Sequence, residues 1–177
     1  MDIKKLNEMR HEILSDVEKE FAQDLIPARL TEENDIPVLN VLMTGYEEEL
    51  EETTGEFFFM PSSPDDEIQY FVNFITIFDS VPQENIDELC VAVAMINTYV
   101  PVGAFAIDFG AGSLVYKLSY PMPVDIPAET VKENVDITME CTFMAVSDMG
   151  YLLTEVAEGV RSASNVLEMI AGDNANS

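Results

Sequence analysis

The spacing of apolar residues along the chain alternates between a helical and an extended pattern. Apolar residues at three- and four-residue steps predict an amphipathic helix over residues 2–24. Short runs rich in β-branched and aromatic residues then predict three strands, at 36–43, 56–60 and 68–78. The acidic stretch 47–52 is expected to be a solvated connection, and the stretch 61–66 a loop.

A second helix is predicted to follow the third strand. Ser80 can cap free amide groups, Pro82 suits the first turn, and Gln83 fits the capping-box position. The helix is expected to reach Tyr99, and its half 89–96 is apolar almost all round, which predicts burial on several sides. Four side chains of this helix are therefore predicted to enter the core: Ile86, Leu89, Val93 and Ile96.

The last third of the chain predicts a hairpin and a long helix. Two extended runs, 104–109 and 113–120, flank Gly110-Ala111-Gly112, a pattern typical of a β-hairpin. Pro127 suits the first turn of a helix over residues 128–159. The order α-β-β-β-α-β-β-α predicts an α+β fold with a five-stranded, mainly antiparallel sheet packed against helices. We expect a single domain over residues 1–160 and a partly disordered C-terminal tail over residues 161–177.

Charge is distributed very unevenly over this pattern. The chain has 34 Asp and Glu against 8 Lys and Arg, a formal net charge of -26, and no Lys or Arg between Thr31 and Tyr116. Such a surface repels phosphate and anionic lipid and attracts basic segments, so we expect neither a nucleic-acid nor a membrane partner. The hydrophobic fraction of 47% is too high for a disordered acidic chain. The N-terminal residues lack the apolar centre of a secretory leader, and we expect a cytoplasmic protein.

Residue types that carry chemistry are sparse. His11 is the only histidine and is interpreted as a surface residue of the first helix. Cys90 and Cys141 lie within apolar helical patterns and are interpreted as reduced thiols, and no His or Cys group has the spacing of a zinc site. Gly110 and Gly112 lack the Lys-Ser/Thr ending of a phosphate loop. We therefore predict no catalytic residue, no cofactor and no metal, and hence no enzyme.

An acidic cluster interrupts the predicted strands. It consists of Glu47, Glu48, Glu49, Glu51 and Glu52. The ordered 12-residue calcium loop with its central glycine and final glutamate is absent, which favours a solvated face. Binding of a hard cation by these carboxylates stays an alternative.

The long predicted helix carries a second apolar stripe. Ile137, Met144 and Tyr151 are spaced seven residues apart opposite the main apolar face, and Cys141 lies between them. A helix that only covers a sheet needs one stripe, so the second predicts a further contact. That contact is either with the N-terminal helix or residues 166–170 of the same chain, or with a second subunit. We predict a homodimer that uses this stripe as its interface.

Three segments between Ile36 and Tyr151 resemble a known family. They are GEFFFMPSS, IQYFVNFITIFDSVPQENIDELCVAVAMIN and VGAFAIDFGAGSLVYKLSYPMP. Their order and the apolar central helix resemble the YbjN-like family and the wider type III secretion chaperone-like fold. The resemblance implies a small, acidic, non-enzymatic and often dimeric protein. Secretion chaperones bind extended client segments, and YbjN-like proteins are described as sensory transduction regulators. The N-terminal helix and the extreme charge depart from that pattern.

We therefore predict a non-enzymatic protein- or peptide-binding module, a chaperone-like or regulatory adaptor with a strongly acidic surface. An apolar groove ringed by carboxylates would hold a partner that carries a basic segment. Two alternatives remain open. A DNA-mimic inhibitor of a nucleic-acid-binding protein would space its carboxylates along one elongated face. An enzyme of unrecognised type would gather carboxylates or hydroxyls with shifted pKa values in a deep pocket.

Overall fold

The structure of the protein, a computed structural model, describes residues 2–43 and 53–174. The elements follow in the order α1 (Ile3–Gln23), β1 (Ala28–Glu33), β2 (Ile36–Met43), β3 (Thr53–Phe59), β4 (Ile68–Phe78), α2 (Ile86–Ile96), β5 (Ala104–Asp108), β6 (Ser113–Pro123), α3 (Ala128–Ala145), α4 (Tyr151–Ala157) and α5 (Ala163–Asn174). A 3-10 turn, Gln83–Asn85, precedes α2, and a π-helical turn, Val146–Gly150, joins α3 to α4.

One antiparallel sheet organises these elements. Its strand order is β1-β2-β3-β4-β6-β5, and each neighbouring pair runs antiparallel. The predicted α+β class with an antiparallel sheet is therefore confirmed, but the sheet has six strands and not five. Strand β1 was not predicted, because Leu30 is its only large apolar residue and no strand pattern stands out over residues 28–33. It pairs with β2 across the two-residue turn Asn34-Asp35, in which both residues have positive φ. Asn and Asp tolerate that conformation, which is typical of tight hairpins.

The helices pack on one face of the sheet, which we call the inner face. Because side chains alternate along a strand, alternate residues of each strand enter this layer. Its fully buried members include Leu39, Phe57, Phe71, Ile75 and Tyr116. Helix α1 covers them with Ile13, Leu14 and Val17. Phe143 of α3 contacts Phe57 of β3 and Phe21 of α1, with ring centroids 5.7 and 6.0 Å apart.

Helix α2 begins differently from the prediction. Ser80 lies outside the helix with φ 59°, and neither Pro82 nor Asn85 makes a side-chain capping bond. The chain instead enters α2 through the 3-10 turn, and Asn85 Nδ2 donates to the carbonyl of Ala157 at 2.9 Å. The predicted capping box is therefore wrong. Asn85 ties the start of α2 to the end of α4.

The core positions predicted on α2 are largely confirmed. Leu89, Val93 and Ile96 are buried, whereas Ile86 is half-buried at the edge of the core. Burial does not extend all round the helix, because Val91 is 46% exposed.

The long C-terminal helix is confirmed in extent but not in regularity. It runs from Ala128 to Ala157 and is interrupted by the π-helical turn. Beyond it, Ala163 and Val166 of α5 belong to the core, so the packed structure continues past residue 160. The C-terminal residues 175–177 lie outside the described part of the chain.

Arg10 of α1 is buried, although its position beside His11 indicated a polar face. It is 3% exposed and lies over the Phe59 ring at 5.2 Å from the centroid. It donates to Gln69 Oε1 at 3.1 Å, Ser62 Oγ at 2.7 Å and the Met60 carbonyl at 3.3 Å. Burial lowers the pKa of Arg10 to about 10, and the charge of Asp66 partly opposes that shift. These bonds fasten α1 to the β3–β4 connection.

The buried side of α2 gives the first testable prediction. Leu89→Ala is expected to lower the free energy of unfolding by about 2–5 kcal/mol, because it leaves a cavity beneath a fully buried side chain. Val91→Ala, on the exposed side of the same helix, should change it by less than about 0.5 kcal/mol. Urea unfolding of both variants measures the difference. Equal effects would contradict the orientation of α2.

Tyr116 gives a pH-dependent prediction. It is fully buried, and its hydroxyl donates to the Val102 carbonyl at 2.7 Å. Burial raises the pKa of Tyr116 to about 12, with a further upward contribution from Cys141 and an opposing one from a hydrogen bond with Thr142. An unfolded tyrosine loses its proton near pH 10, so the folded state holds this proton more tightly between pH 10 and 12. Stability should therefore fall as pH rises through this interval, by roughly 3 kcal/mol in all.

The variant Tyr116→Phe isolates this contribution. It should be less stable than the wild type at pH 7 by about 0.5–1.5 kcal/mol, because one hydrogen bond is lost. It should also lack the additional loss of stability that the wild type shows between pH 10 and 12. Urea unfolding at several pH values gives both quantities. Parallel decline of the two proteins over that interval would contradict the raised pKa.

Candidate functional site

An apolar pocket opens where the C-terminal end of α1, the end of β2 and the π-helical turn meet. We call it the helix-end pocket. Its apolar lining includes Leu25, Ile26, Met43, Phe143, Met144 and Val146. Asp24, Ser147 and Asp148 contribute polar atoms, and no lining residue in the described part of the chain is Lys or Arg. The volume of about 620 Å³ lies in the range typical of ligand pockets.

Leu25 lies at this pocket in a strained conformation. Its φ is 59°, in the left-handed region that normally selects glycine at a helix end. Helix α1 ends through this residue, since the Ile26 amide donates to the Phe21 carbonyl at 2.8 Å. The Leu25 side chain is 88% exposed, so packing does not offset the strain. An exposed apolar residue held in a costly conformation is a feature of binding sites.

The π-helical turn forms the opposite wall. Val146, Ser147 and Asp148 line the pocket from within this turn. A π turn contains one residue more than an α turn. The side chains that follow it are therefore turned by about 100° around the helix axis, relative to their positions in an uninterrupted α-helix. Such turns occur frequently at functional sites.

This rotation separates the residues of the predicted interface stripe. Ile137 and Met144 are both 57% exposed on α3, with Cys141 half-buried between them. Tyr151 follows the π turn, is half-buried and packs against the core. Of the four residues, Met144 alone lines the helix-end pocket. The stripe therefore ends on α3, and a subunit interface there stays a prediction.

The predicted acidic cluster, Glu47, Glu48, Glu49, Glu51 and Glu52, lies outside the described residues. The described residues on either side of that segment, Met43 and Thr53, both line the helix-end pocket.

The sheet has a second apolar face, which sequence reasoning missed. We call it the outer sheet face; it carries the side chains that point away from the helices. Val38, Val72 and Val115 are buried there, and Phe58 and Phe74 are half-buried, yet none of the five belongs to the core that includes the helices. The sequence of β4 indicates this second face, because its run YFVNFITIF has apolar residues at both the odd- and the even-numbered positions. Such runs are typical of strands that are covered on both faces.

A shallow hollow of about 490 Å³ lies on the outer sheet face between β1 and β3. Arg29, Asn40, Leu42, Thr54 and Glu56 line it. Burial raises the pKa of Glu56, and the charge of Glu33 adds to that effect.

No cluster of three or more His, Cys, Asp or Glu residues that could hold a metal ion occurs within residues 2–43 and 53–174. Over the same ranges, no helix is both long enough and apolar enough to cross a membrane.

Comparison with known proteins gives a distant likeness to a solved structure. No protein-family model matches this chain, and the search of curated proteins found no relative. Among solved structures, the chain is similar to YbjN from E. coli, described as "a putative transcription regulator". The TM-score is 0.43 and the sequence identity 14%, over 75% of this chain and 88% of that chain. At this level the likeness shows no function for this chain.

The strain at Leu25 gives a testable prediction. Leu25→Gly is expected to raise the free energy of unfolding by about 0.5–1 kcal/mol, because glycine adopts positive φ without steric cost. Leu25→Ala retains a Cβ atom and should leave stability nearly unchanged. Urea unfolding distinguishes the two. A loss of stability in Leu25→Gly would show that the leucine side chain supports the fold.

Proposed function

We propose that the protein is a non-enzymatic adaptor that binds a protein or peptide segment carrying an apolar side chain and basic residues. The observation that supports this function is the composition of the helix-end pocket. Its apolar wall presents exposed Leu25 and Met144, and among the described residues the charged ones that line it are Asp24 and Asp148.

The two kinds of residue have different effects on binding. Burial of one Leu or Phe side chain of the partner contributes about 1.5–3 kcal/mol and slows dissociation. Exposed carboxylates contribute only about 0–1 kcal/mol per ion pair, but they attract basic segments and raise the association rate. A net charge of -26 extends that attraction over the whole molecule. Affinity therefore rests on the apolar wall, and charge selects cationic partners.

In this proposal the adaptor has a chaperone-like or regulatory role, catalyses no reaction and acts in the cytoplasm. Neither nucleic acid nor membrane is proposed as a partner, because an anionic surface of this kind has few cations to replace phosphate counterions.

A cationic amphipathic peptide tests the proposal. The probe is a fluorescent peptide of leucine and lysine, and fluorescence anisotropy measures its affinity for the full chain. Met144→Gln is expected to weaken binding by about tenfold, because it removes apolar contact within the pocket. Ile137→Gln is the matched control, since Ile137 is equally exposed on the same helix but does not line the pocket.

Two further measurements separate the pocket from general charge attraction. Stopped-flow mixing of the double variant Asp24→Asn and Asp148→Asn should show slower association, with the dissociation rate retained. A leucine and glutamate peptide should not bind. Equal losses in Met144→Gln and Ile137→Gln would refute the pocket as the binding site, and so would equal binding of the two peptides.

A further inference from the structure

The outer sheet face is apolar at its centre. Val38, Phe58 and Val72 lie side by side across β2, β3 and β4, and Phe74 is the next outward-facing residue of β4. Val115 continues the apolar surface on β6. An antiparallel sheet with one solvated face carries polar side chains on that face. The helices in the described part of the chain all pack on the inner face. The three valines are already buried within the single chain. The apolar surface that remains for a partner is that of half-buried Phe58 and Phe74 and of exposed Ile68 and Tyr70, which lie on the same face of β4.

The charge on this face differs from that of the molecule. The strand residues that point to this face include the cations Arg29 and Lys117 and the carboxylates Glu33, Glu56 and Asp108, whereas the whole chain has 8 cations and 34 carboxylates. Asp108 already accepts hydrogen bonds from the amides of the β5–β6 turn. Among the described residues, neither Arg29 nor Lys117 makes an ion pair. The face is therefore nearly neutral and holds charges of both signs.

We propose that the outer sheet face pairs with the outer sheet face of a second copy of the chain. A twofold interface must be complementary to itself, which requires apolar groups and both signs of charge in one patch. A net charge of -26 per chain opposes association over most of the surface. On a nearly neutral face this opposition is weakest, and the unpaired Arg29 and Lys117 can meet carboxylates of the second copy. The proposal does not depend on the function of the helix-end pocket.

The size of the face suits a stable dimer. Strands lie about 4.8 Å apart and rise about 3.4 Å per residue, so six strands of roughly eight residues present about 650 Å² per copy. Two fully overlapping faces would then bury about 1,300 Å², which is within the range of specific interfaces.

The proposed interface replaces the stripe on α3 that the sequence predicted, because that stripe suits self-association less well. Glu133 and Glu140 are exposed and lie three or four residues from Ile137 and Met144, so they share the face of the helix with these apolar side chains. In a twofold contact through this stripe, these carboxylates would lie close to the same carboxylates of the second subunit and repel them. No cation on α3 lies free to offset them, because Lys132, the one cation of this helix, is already bound by Glu20 and Asp136.

Sedimentation velocity of the full chain over a concentration series tests the proposal. The wild type is expected to dimerise, more tightly as salt screens the remaining repulsion. The double variant Phe58→Thr and Phe74→Thr keeps residues that favour strands and should raise the dissociation constant of the dimer by about tenfold or more. Ile137→Gln, which removes an exposed apolar side chain from α3, should leave it unchanged. A wild type that is monomeric at every salt concentration would overturn the proposal, as would loss of the dimer in Ile137→Gln.

Lys117→Glu supplies a variant that does not disturb packing, since Lys117 is exposed. It should raise the dissociation constant about tenfold at low salt and less at high salt, because it makes the face acidic. Circular dichroism should show an unchanged fold. A dimer as tight as that of the wild type at low salt would overturn the proposal even if the phenylalanine variant failed to fold.

Discussion

Phe143 joins the sheet, helix α1 and the helix-end pocket. Its ring contacts Phe57 on the sheet and Phe21 on α1, and it immediately precedes Met144 at the start of the helix-end pocket wall. Aromatic pairs of this kind contribute about 0.5–1.5 kcal/mol beyond the area they bury. Phe143, which is also part of the pocket, therefore helps to fix the position of α1 relative to α3, together with the ion pair between Glu20 and Lys132. Because the wall of the pocket belongs to the core, the pocket is formed before any partner arrives, and binding need not order it.

Apolar contacts of this kind must hold the fold against strong self-repulsion. The ion pairs among the described residues lie mostly on exposed side chains, where each contributes about 0–1 kcal/mol. Arg10 is different because it is buried. It donates hydrogen bonds to neutral groups, and its guanidinium group makes a cation–π contact with the Phe59 ring. The protein thus uses a scarce cation inside the fold, where it fastens α1 to the sheet. This leaves the outside of the molecule more acidic, which strengthens its attraction for basic segments.

Periodicity predicted α1, α2 and the long C-terminal helix, since each carries an apolar repeat, and the turn Gly110-Ala111-Gly112 predicted the β5–β6 hairpin. Strand β1 has only Leu30 at its centre, and the evidence for it lay in the turn residues Asn34 and Asp35. The interface stripe was predicted from residues spaced seven apart, and such residues share one face only in an uninterrupted α-helix. The additional residue in the π-helical turn places Tyr151 on a different face from Ile137 and Met144. The helix-end pocket could not be predicted, because its walls come from segments that are distant along the chain and meet only in the folded structure.

The two candidate surfaces lie mainly on opposite sides of β2 and meet at Leu42, which lines both the helix-end pocket and the hollow on the outer sheet face. Alternation along this strand directs Met43 to the helix-end pocket and Val38 to the outer sheet face. A dimer that used the outer faces would leave both pockets open to solvent. Two pockets on one particle would bind a partner with repeated basic and apolar segments more tightly than either pocket alone, because the second contact becomes intramolecular. Weak individual sites, as expected for exposed carboxylates around a small apolar wall, would then suffice to retain such a partner. Self-association would thus raise the effective affinity of the adaptor without any change in the pocket itself.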